Sequence, residues 1–165
     1  EAGKETATED TPLDLAADFP RKTTIDGILA LEKATQQLAQ HVILRYGTLY
    51  GEDTWYAKNG DIHQQFLDGT AKVSHGITNF IHIQDAVAAA ILAISLPTGI
   101  YNIVDDEPAC GPIWAPYYAQ HLTRDRNTIS YLNKNPWERS VSNASYKQNG
   151  GKLAFNSWRE GMKDL

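Results

Sequence analysis

Between Thr23 and Gln40 apolar residues recur at helical spacing, and Ile25, Ile28, Leu29, Leu31, Ala34 and Leu38 form one stripe. Thr23 and Asp26 have capping-box-like spacing, and Pro20 closes off what precedes them. The pattern then contracts to Val42–Tyr46 (VILRY), a short and mostly apolar strand. Gly47 to Gly51 (GTLYG) reads as a loop leaving that strand end. Asp61–Asp68 fits a short helix with Ile62, Phe66 and Leu67 inward and Gly69 as its stop. Ala71–Ser74 and Thr78–Ile83 are strand candidates on either side of His75-Gly76. Asp85–Ser95 is an Ala-rich apolar helix with Asp85 as its N-cap, terminated by Pro97 and Gly99. Ile100–Val104 is a strand with an acidic exit, Asp105-Asp106-Glu107. Pro112 starts a helix through Leu122, with Ile113, Tyr117 and His121 at helical spacing. Thr128–Leu132 is a weak strand. Ser142 or Asn143 caps a helix to about Gln148, Gly150-Gly151 breaks it, and Ser157–Lys163 forms a last helical turn.

Strands that alternate with helices predict α/β architecture rather than a sandwich or a bundle. Val42–Tyr46 and Ile100–Val104 read as buried central strands of a parallel sheet. Residues 1–22 break this rhythm: they hold six acidic and three basic residues and no periodic apolar face. They read as a loosely held acidic arm, and residues 23–165 as the α/β body.

Composition narrows the function classes. With 165 residues, 42% of them hydrophobic, one core can form. A net charge of -5 argues against a nucleic-acid surface. The apolar run in Ala86–Ile94 is too short to span a bilayer, and no signal-peptide pattern opens the chain. Cys110 is the only cysteine, which excludes an internal disulfide and a Cys-rich zinc site and fits a reducing cytoplasmic setting. The chain starts at Glu rather than Met, which suggests a piece of a longer one.

Common chemical motifs are absent. No G-x-G-x-x-G or P-loop pattern occurs, so no glycine turn lets a pyrophosphate approach a helix N-terminus. The chain alone is therefore not expected to bind a dinucleotide. No two of His41, His63, His75, His82 and His121 stand four apart, and no metal site is expected. Asp105-Asp106-Glu107 reads as a solvated turn, because adjacent carboxylates repel unless something pairs them. Cys110 precedes Gly111-Pro112 with no base partner nearby in sequence. Trp55, Trp114, Trp137 and Trp158 read as packing residues, with an aromatic-lined ligand pocket as the alternative at Trp114.

The order of four segments carries a resemblance. LEKATQQLAQHVILRYGTLYG (residues 31–51) contains Val42, Leu44, Arg45, Tyr50 and Gly51 of a V-x-L-R-x-x-x-x-Y-G pattern. GITNFIHIQDAVAAAILAI (residues 76–94) contains Phe80, Ile81, His82, Asp85 and Ala86 of R-D-F-I-H-V-D-D-x-A-x-A. GIYNIVDDEPACGPIW (residues 99–114) is similar to G-x-Y-N-V-x-D-x-x-P, and SNASYKQNGG…SWREGM to a closing helix and tail. Together they resemble the C-terminal part of an atypical extended short-chain dehydrogenase/reductase, of the NAD-dependent epimerase/dehydratase family. The resemblance implies a Rossmann-like fold with a small substrate-binding subdomain. It also implies that the glycine-rich N-terminal half is missing, with NAD or NADP bound by the full-length parent. A sugar-like small molecule would be the substrate, through a hydride transfer.

Within that resemblance, Gly47 and Thr48 are the expected cofactor-facing residues, and Leu49, Phe80, His82 and Trp114 the substrate-binding candidates. Arg45 is expected in a structural ion pair, and His82 reads first as a hydrogen-bonded structural histidine and only second as a proton shuttle. Two positions depart from the family. Its catalytic Tyr-x-x-x-Lys would fall at Thr24 and Ile28, which offer no acid/base of suitable pKa and no cation. Thr78 stands where nucleotide-sugar enzymes often carry a diphosphate-gripping Arg.

The leading expectation is thus a substrate-binding part of an NAD(P)-dependent epimerase/dehydratase-like oxidoreductase, inactive alone. A non-catalytic dinucleotide-binding or scaffold module that has lost the Tyr/Lys pair is the alternative, and an unrelated small α/β domain the third. Exposed strand edges would favour self-association.

Overall fold

A computed structural model describes residues 5–122 and 129–165. In chain order the elements are α1 (Arg21–Thr35), β1 (Val42–Tyr46), β2 (Thr48–Tyr50), α2 (Asp61–Leu67), β3 (Lys72–Ser74), β4 (Ile77–Thr78), β5 (Phe80–His82), α3 (Ile83–Leu92), β6 (Gly99–Ile103), β7 (Ala109–Cys110), α4 (Gly111–Leu122), β8 (Ser130–Leu132), α5 (Ala144–Gln148) and α6 (Trp158–Gly161). A single 3₁₀ turn, Met162–Asp164, follows α6. The alternation predicted from the sequence is present.

Four strand pairs carry the fold. β1 runs parallel to β6, in register from Val42 against Gly99 to Tyr46 against Ile103. β2 is parallel to β5, β3 parallel to β8, and β4 antiparallel to β7. Parallel neighbours need crossover connections, and α3 with the turn after it carries the chain toward β6 beside β1. Two cores result. The larger is aromatic and gathers Tyr50, Tyr56, Phe66, Phe80, Trp114, Tyr118 and Trp158. The second sits beneath the β1–β6 pair and is mostly aliphatic, with Ile81, Ala86, Ala89, Leu96, Ile103 and two tyrosines.

Several expectations are corrected, each for a packing reason. α1 starts at Arg21, ahead of Thr23, and Pro20 caps it without a side-chain bond. Asp26 lies inside the helix and accepts from Lys22 Nζ at 2.8 Å instead of closing a capping box. The helix ends at Thr35, short of Gln40, and of its stripe Ile25 is buried while Leu31 and Leu38 stay exposed. Part of Gly47–Gly51 is the strand β2 rather than a loop, because β5 is available as a partner. His82, not Asp85, caps α3: its Nδ1 accepts from Gln84 N at 3.3 Å. Asp85 turns inward and accepts from Ala154 N and Phe155 N at 2.7 and 3.1 Å, tying down the C-terminal segment.

The acidic exit of β6 is not a solvated turn. Asp105 is 4% exposed, and burial pushes its carboxyl up to about 8. Asp106 pairs with Lys147 Nζ at 2.5 Å, and Glu107 with Arg159 Nε at 2.6 Å. On α4 the buried face is Trp114, Ala115, Tyr118 and Ala119, one residue round from the Ile113/His121 face read from spacing. His63 rather than Leu67 completes the inner face of α2. The segment read as a loosely held arm is tied to the body over its described part. Ala7 bridges Val141, and Glu9 Oε1 accepts from Asn102 N at 2.9 Å. Thr128 lies outside the described residues. None of the described helices is long and apolar enough to cross a membrane.

Candidate functional site

The chain crosses itself just beyond the carboxyl end of β1. Gly47 N donates to Ile103 O at 3.0 Å and Thr48 N to Asn79 O at 2.7 Å. A Cβ on Gly47 would stand 2.4 Å from Asn79 O, so glycine is required here by backbone crossing. Outside this crossing opens a cleft of about 580 Å³, walled by α1, the β1–β2 link, β4 and residues 7–14 and 137–141. Crevices beyond strand carboxyl ends are the ordinary ligand positions of α/β folds.

Long-range hydrogen bonds hold the far wall. Asn79 Nδ2 donates to Arg139 O at 2.9 Å, and its Oδ1 accepts from Val141 N at 3.0 Å. One side chain thereby clips residues 139–141 to the strand crossing. Glu138 accepts from Ser74 Oγ at 2.5 Å and from Asn135 N at 2.6 Å, which turns its carboxylate toward β3.

The charges in the cleft are mostly spoken for. Arg45 Nε and Nη2 each reach a Glu32 oxygen at 2.7 Å, the structural pair expected from the sequence. Those bonds hold the Arg45 guanidinium above its ordinary pKa. Arg21 pairs with Asp14 and lies 4.3 Å from the centre of the Trp137 ring. Tyr46, about 40% exposed, donates from its hydroxyl to Ala86 O at 3.1 Å, and burial of its remainder pushes its pKa up.

Of the residues singled out from the sequence, Gly47 and Thr48 line this cleft. Leu49 is half-exposed on β2 and does not line it. Phe80 is fully buried and meets Tyr50, Tyr56 and Trp114 edge-on at 5.7, 5.4 and 5.4 Å. His82 is buried beneath Gly51, with the Phe155 ring tilted against it at 4.0 Å between centroids. Trp114 is 5% exposed within the same aromatic cluster as Phe80. The fold therefore separates Gly47 and Thr48 from the other four. Asn79, Trp137 and Arg139 escaped the sequence reading as site residues, because only the folded chain brings them to the strand end.

The chain is 18% identical to a dTDP-glucose 4,6-dehydratase from Bacillus anthracis solved with NAD, with a TM-score of 0.69 over 97% of this chain and 54% of that one. A UDP-glucose 4-epimerase from Thermus thermophilus, also solved with NAD, gives 20% identity and a TM-score of 0.63 over 86% and 50%. A human epimerase family protein solved with NADPH gives 18% and 0.70 over 98% and 59%. The chain has the fold of the NAD-dependent epimerases and dehydratases. No family model matches it. It is also 40% identical, over 121 residues, to a Streptomyces 3-diazoavenalumate denitrifying reductase. That alignment covers 69% of this chain and 40% of the reductase, so the chain spans less than half the length of this relative.

The epimerase/dehydratase fold gives the cleft a frame in which a cofactor can be tested. The two amides at the strand end, Gly47 N and Thr48 N, are already donated to carbonyls. The described residues therefore offer a polar side chain at Thr48, but no cluster of backbone N–H groups there for a pyrophosphate. On α1, Arg21 and Ile25 line the cleft, while Thr24 is exposed and Ile28 is 39% exposed. Thr78, at the position often held by Arg, also lines it. Among the described residues no group of three or more His, Cys, Asp or Glu stands ready for a metal ion.

Proposed function

We propose that this chain is the substrate-binding C-terminal part of a cytoplasmic NAD(P)-dependent reductase of the epimerase/dehydratase family. The proposed acceptor requires hydride but no proton from the enzyme. The observation that carries this reading is the cleft face of α1. It presents Arg21 and Ile25, and the positions of the usual Tyr/Lys pair hold Thr24 and Ile28. Carbonyl reduction needs an acid at the developing alkoxide, and this face supplies none.

An acceptor with its own leaving group removes that need. The 40% identical relative carries the words diazo, denitrifying and reductase in its name, which supports a diazo-type substrate. A bound nicotinamide cofactor would supply the hydride. At an arenediazonium carbon the hydride pair forms the new C–H bond while the C–N pair leaves with N₂. The balance is ArN₂⁺ plus NAD(P)H giving ArH, N₂ and NAD(P)⁺, with no proton transferred. The tasks left to this chain are orientation and exclusion of water, and the cleft walls are suited to both.

The pyrophosphate would be held by a glycine-rich part of the longer parent protein. The apolar surface left on the body, including Leu31, Ile91 and Ile94, would favour self-association of this chain in isolation.

The test offers the full-length parent a cofactor deuterated at the transferring position together with an arenediazonium. Deuterium in the arene and release of N₂ are expected. Tight cofactor binding without transfer to any acceptor would replace this reading with the non-catalytic module.

A further inference from the structure

Residues 139–142 form an outer wall of the cleft, and their backbone groups are bonded on two edges. On one edge Ala7 brackets Val141 as a parallel strand would: Ala7 N donates to Ser140 O at 2.8 Å, and Ser142 N donates to Ala7 O at 2.8 Å. On the other edge the partner is a side chain. Asn79 Nδ2 donates to Arg139 O at 2.9 Å, and Asn79 Oδ1 accepts from Val141 N at 3.0 Å. That is the same pattern, one residue earlier. A carboxamide carries one donor group and one acceptor, as a backbone residue does, so Asn79 takes the place of a residue in a parallel neighbouring strand.

The main chain of Asn79 holds the opposite side of the cleft. Its carbonyl oxygen accepts from Thr48 N at 2.7 Å and approaches so closely that a Cβ on Gly47 would have no room. One half-buried residue thus joins the Thr48 turn to the wall. The ends of the wall have their own ties. Glu138 is bound by Ser74 Oγ and Asn135 N, and Ser142 O accepts from Asn102 Nδ2 at 3.2 Å. Between those ends, the described hydrogen bonds to the strand crossing come from Asn79. Loss of its carboxamide would therefore free residues 139–141 without detaching the segment.

An acid cannot replace this amide. A carboxylate still accepts from Val141 N, but it donates nothing to Arg139 O and sets oxygen against oxygen there. The R-D-F-I-H pattern that this segment resembles has Asp at this position, so Asn79→Asp is a change of nearly equal shape. We propose that Asn79 is the positioning residue of the cleft. Its carboxamide fixes residues 139–141 at a set distance from Thr48, and that distance decides how a substrate lies. The role in turnover rests on the reductase reading; the hold on the wall does not.

Two measurements on the full-length parent test this. The first is hydrogen–deuterium exchange. Exchange at Val141 should speed by about tenfold in Asn79→Ala, the scale of one lost hydrogen bond, and by less in Asn79→Asp, while β1 and β6 keep their protection. The second is turnover of an arenediazonium. Asn79→Ala and Asn79→Asp should each lower kcat by about tenfold or more, with the cofactor Kd within about threefold, because the main-chain bond to Thr48 survives both changes. A merely structural residue would reduce the amount of folded enzyme and leave kcat per bound cofactor unchanged. Unchanged exchange at Val141 in Asn79→Ala, faster exchange spread through β1 and β6, or a kcat within about twofold of wild type in both variants would each overturn the proposal. No hydride transfer by the wild-type parent would overturn the reductase reading and the turnover role with it, and the exchange result tells that failure apart from a failure of the hold.

Discussion

The two cores of this chain are built differently. In the aromatic core, Phe80 contacts rings from β2, the loop after it and α4, and Tyr118 donates to Tyr56 O at 2.7 Å. Around β1 and β6 the closure is incomplete. β1 is half-buried along its length, and β6 is the only strand paired with it among those described. Nearby helices carry exposed apolar residues, Leu31 on α1 and Ile91 on α3. Aromatic side chains from six separate segments close one core, whereas a two-stranded parallel sheet has too few neighbours to cover both its faces. The β1–β6 pair is thus less buried than β5, which is buried at every position.

That contrast is open to direct attack. The largest effect is expected at the aromatic core. Phe80→Ala or Trp114→Ala should cost about 3–5 kcal/mol, read as a drop in the urea midpoint. A loss below that of an ordinary surface change would show that the cluster is not the stronger core. Next stands the link between α1 and β1. Glu32 is 9% exposed at its side chain, and Glu32→Gln leaves Arg45 partly buried without its anion. A loss of about 3 kcal/mol is expected, and Arg45→Met with Glu32→Leu together should recover much of it.

A smaller effect depends on pH. Asp105 titrates near 3.8 when unfolded and near 8 in the folded chain, because burial disfavours its charge. Between those values the folded state holds the extra proton, so stability falls as pH rises from about 4 to about 8 and then levels. Asp105→Asn should flatten that slope and be more stable than wild type at about pH 8.5, by thermal melts across pH. A variant as pH-sensitive as wild type would place the slope elsewhere. The smallest change in stability, within about 0.5 kcal/mol, is expected for Ile91→Lys on the exposed face of α3. The same change should reduce any concentration-dependent association seen by light scattering, if the incompletely covered half is where copies meet.

Much of this was legible in the chain. Short-range chemistry located the helices and strands: Gly69, at a φ of 67°, stops α2 where its backbone freedom predicts. The order of segments pointed to the epimerase/dehydratase fold. Faces were harder to read. Ile113, Tyr117 and His121 keep helical spacing, yet α4 turns Trp114 and Tyr118 inward, because the rings of Phe66 and Tyr56 await them there. Asp85 occupies a plausible N-cap, but its carboxylate serves two amides some seventy residues away.

The candidate site shows the same division. Gly47 and Thr48, expected from the resemblance, do line the cleft, because a strand end and a glycine are adjacent in sequence. Arg139 and Trp137 could not be read from it, since nothing between residues 48 and 137 announces that Asn79 will clip that segment beside them. By itself, then, the sequence determined the alternation of elements and that these 165 residues carry no glycine-rich phosphate-loop pattern, both of which depend on residue identity over a few positions. Only the tertiary structure decided which anions meet the cleft's arginines, Asp14 at Arg21 and Glu32 at Arg45. Pairing depends on distances between separate segments of the chain, and those distances exist only once both cores have formed.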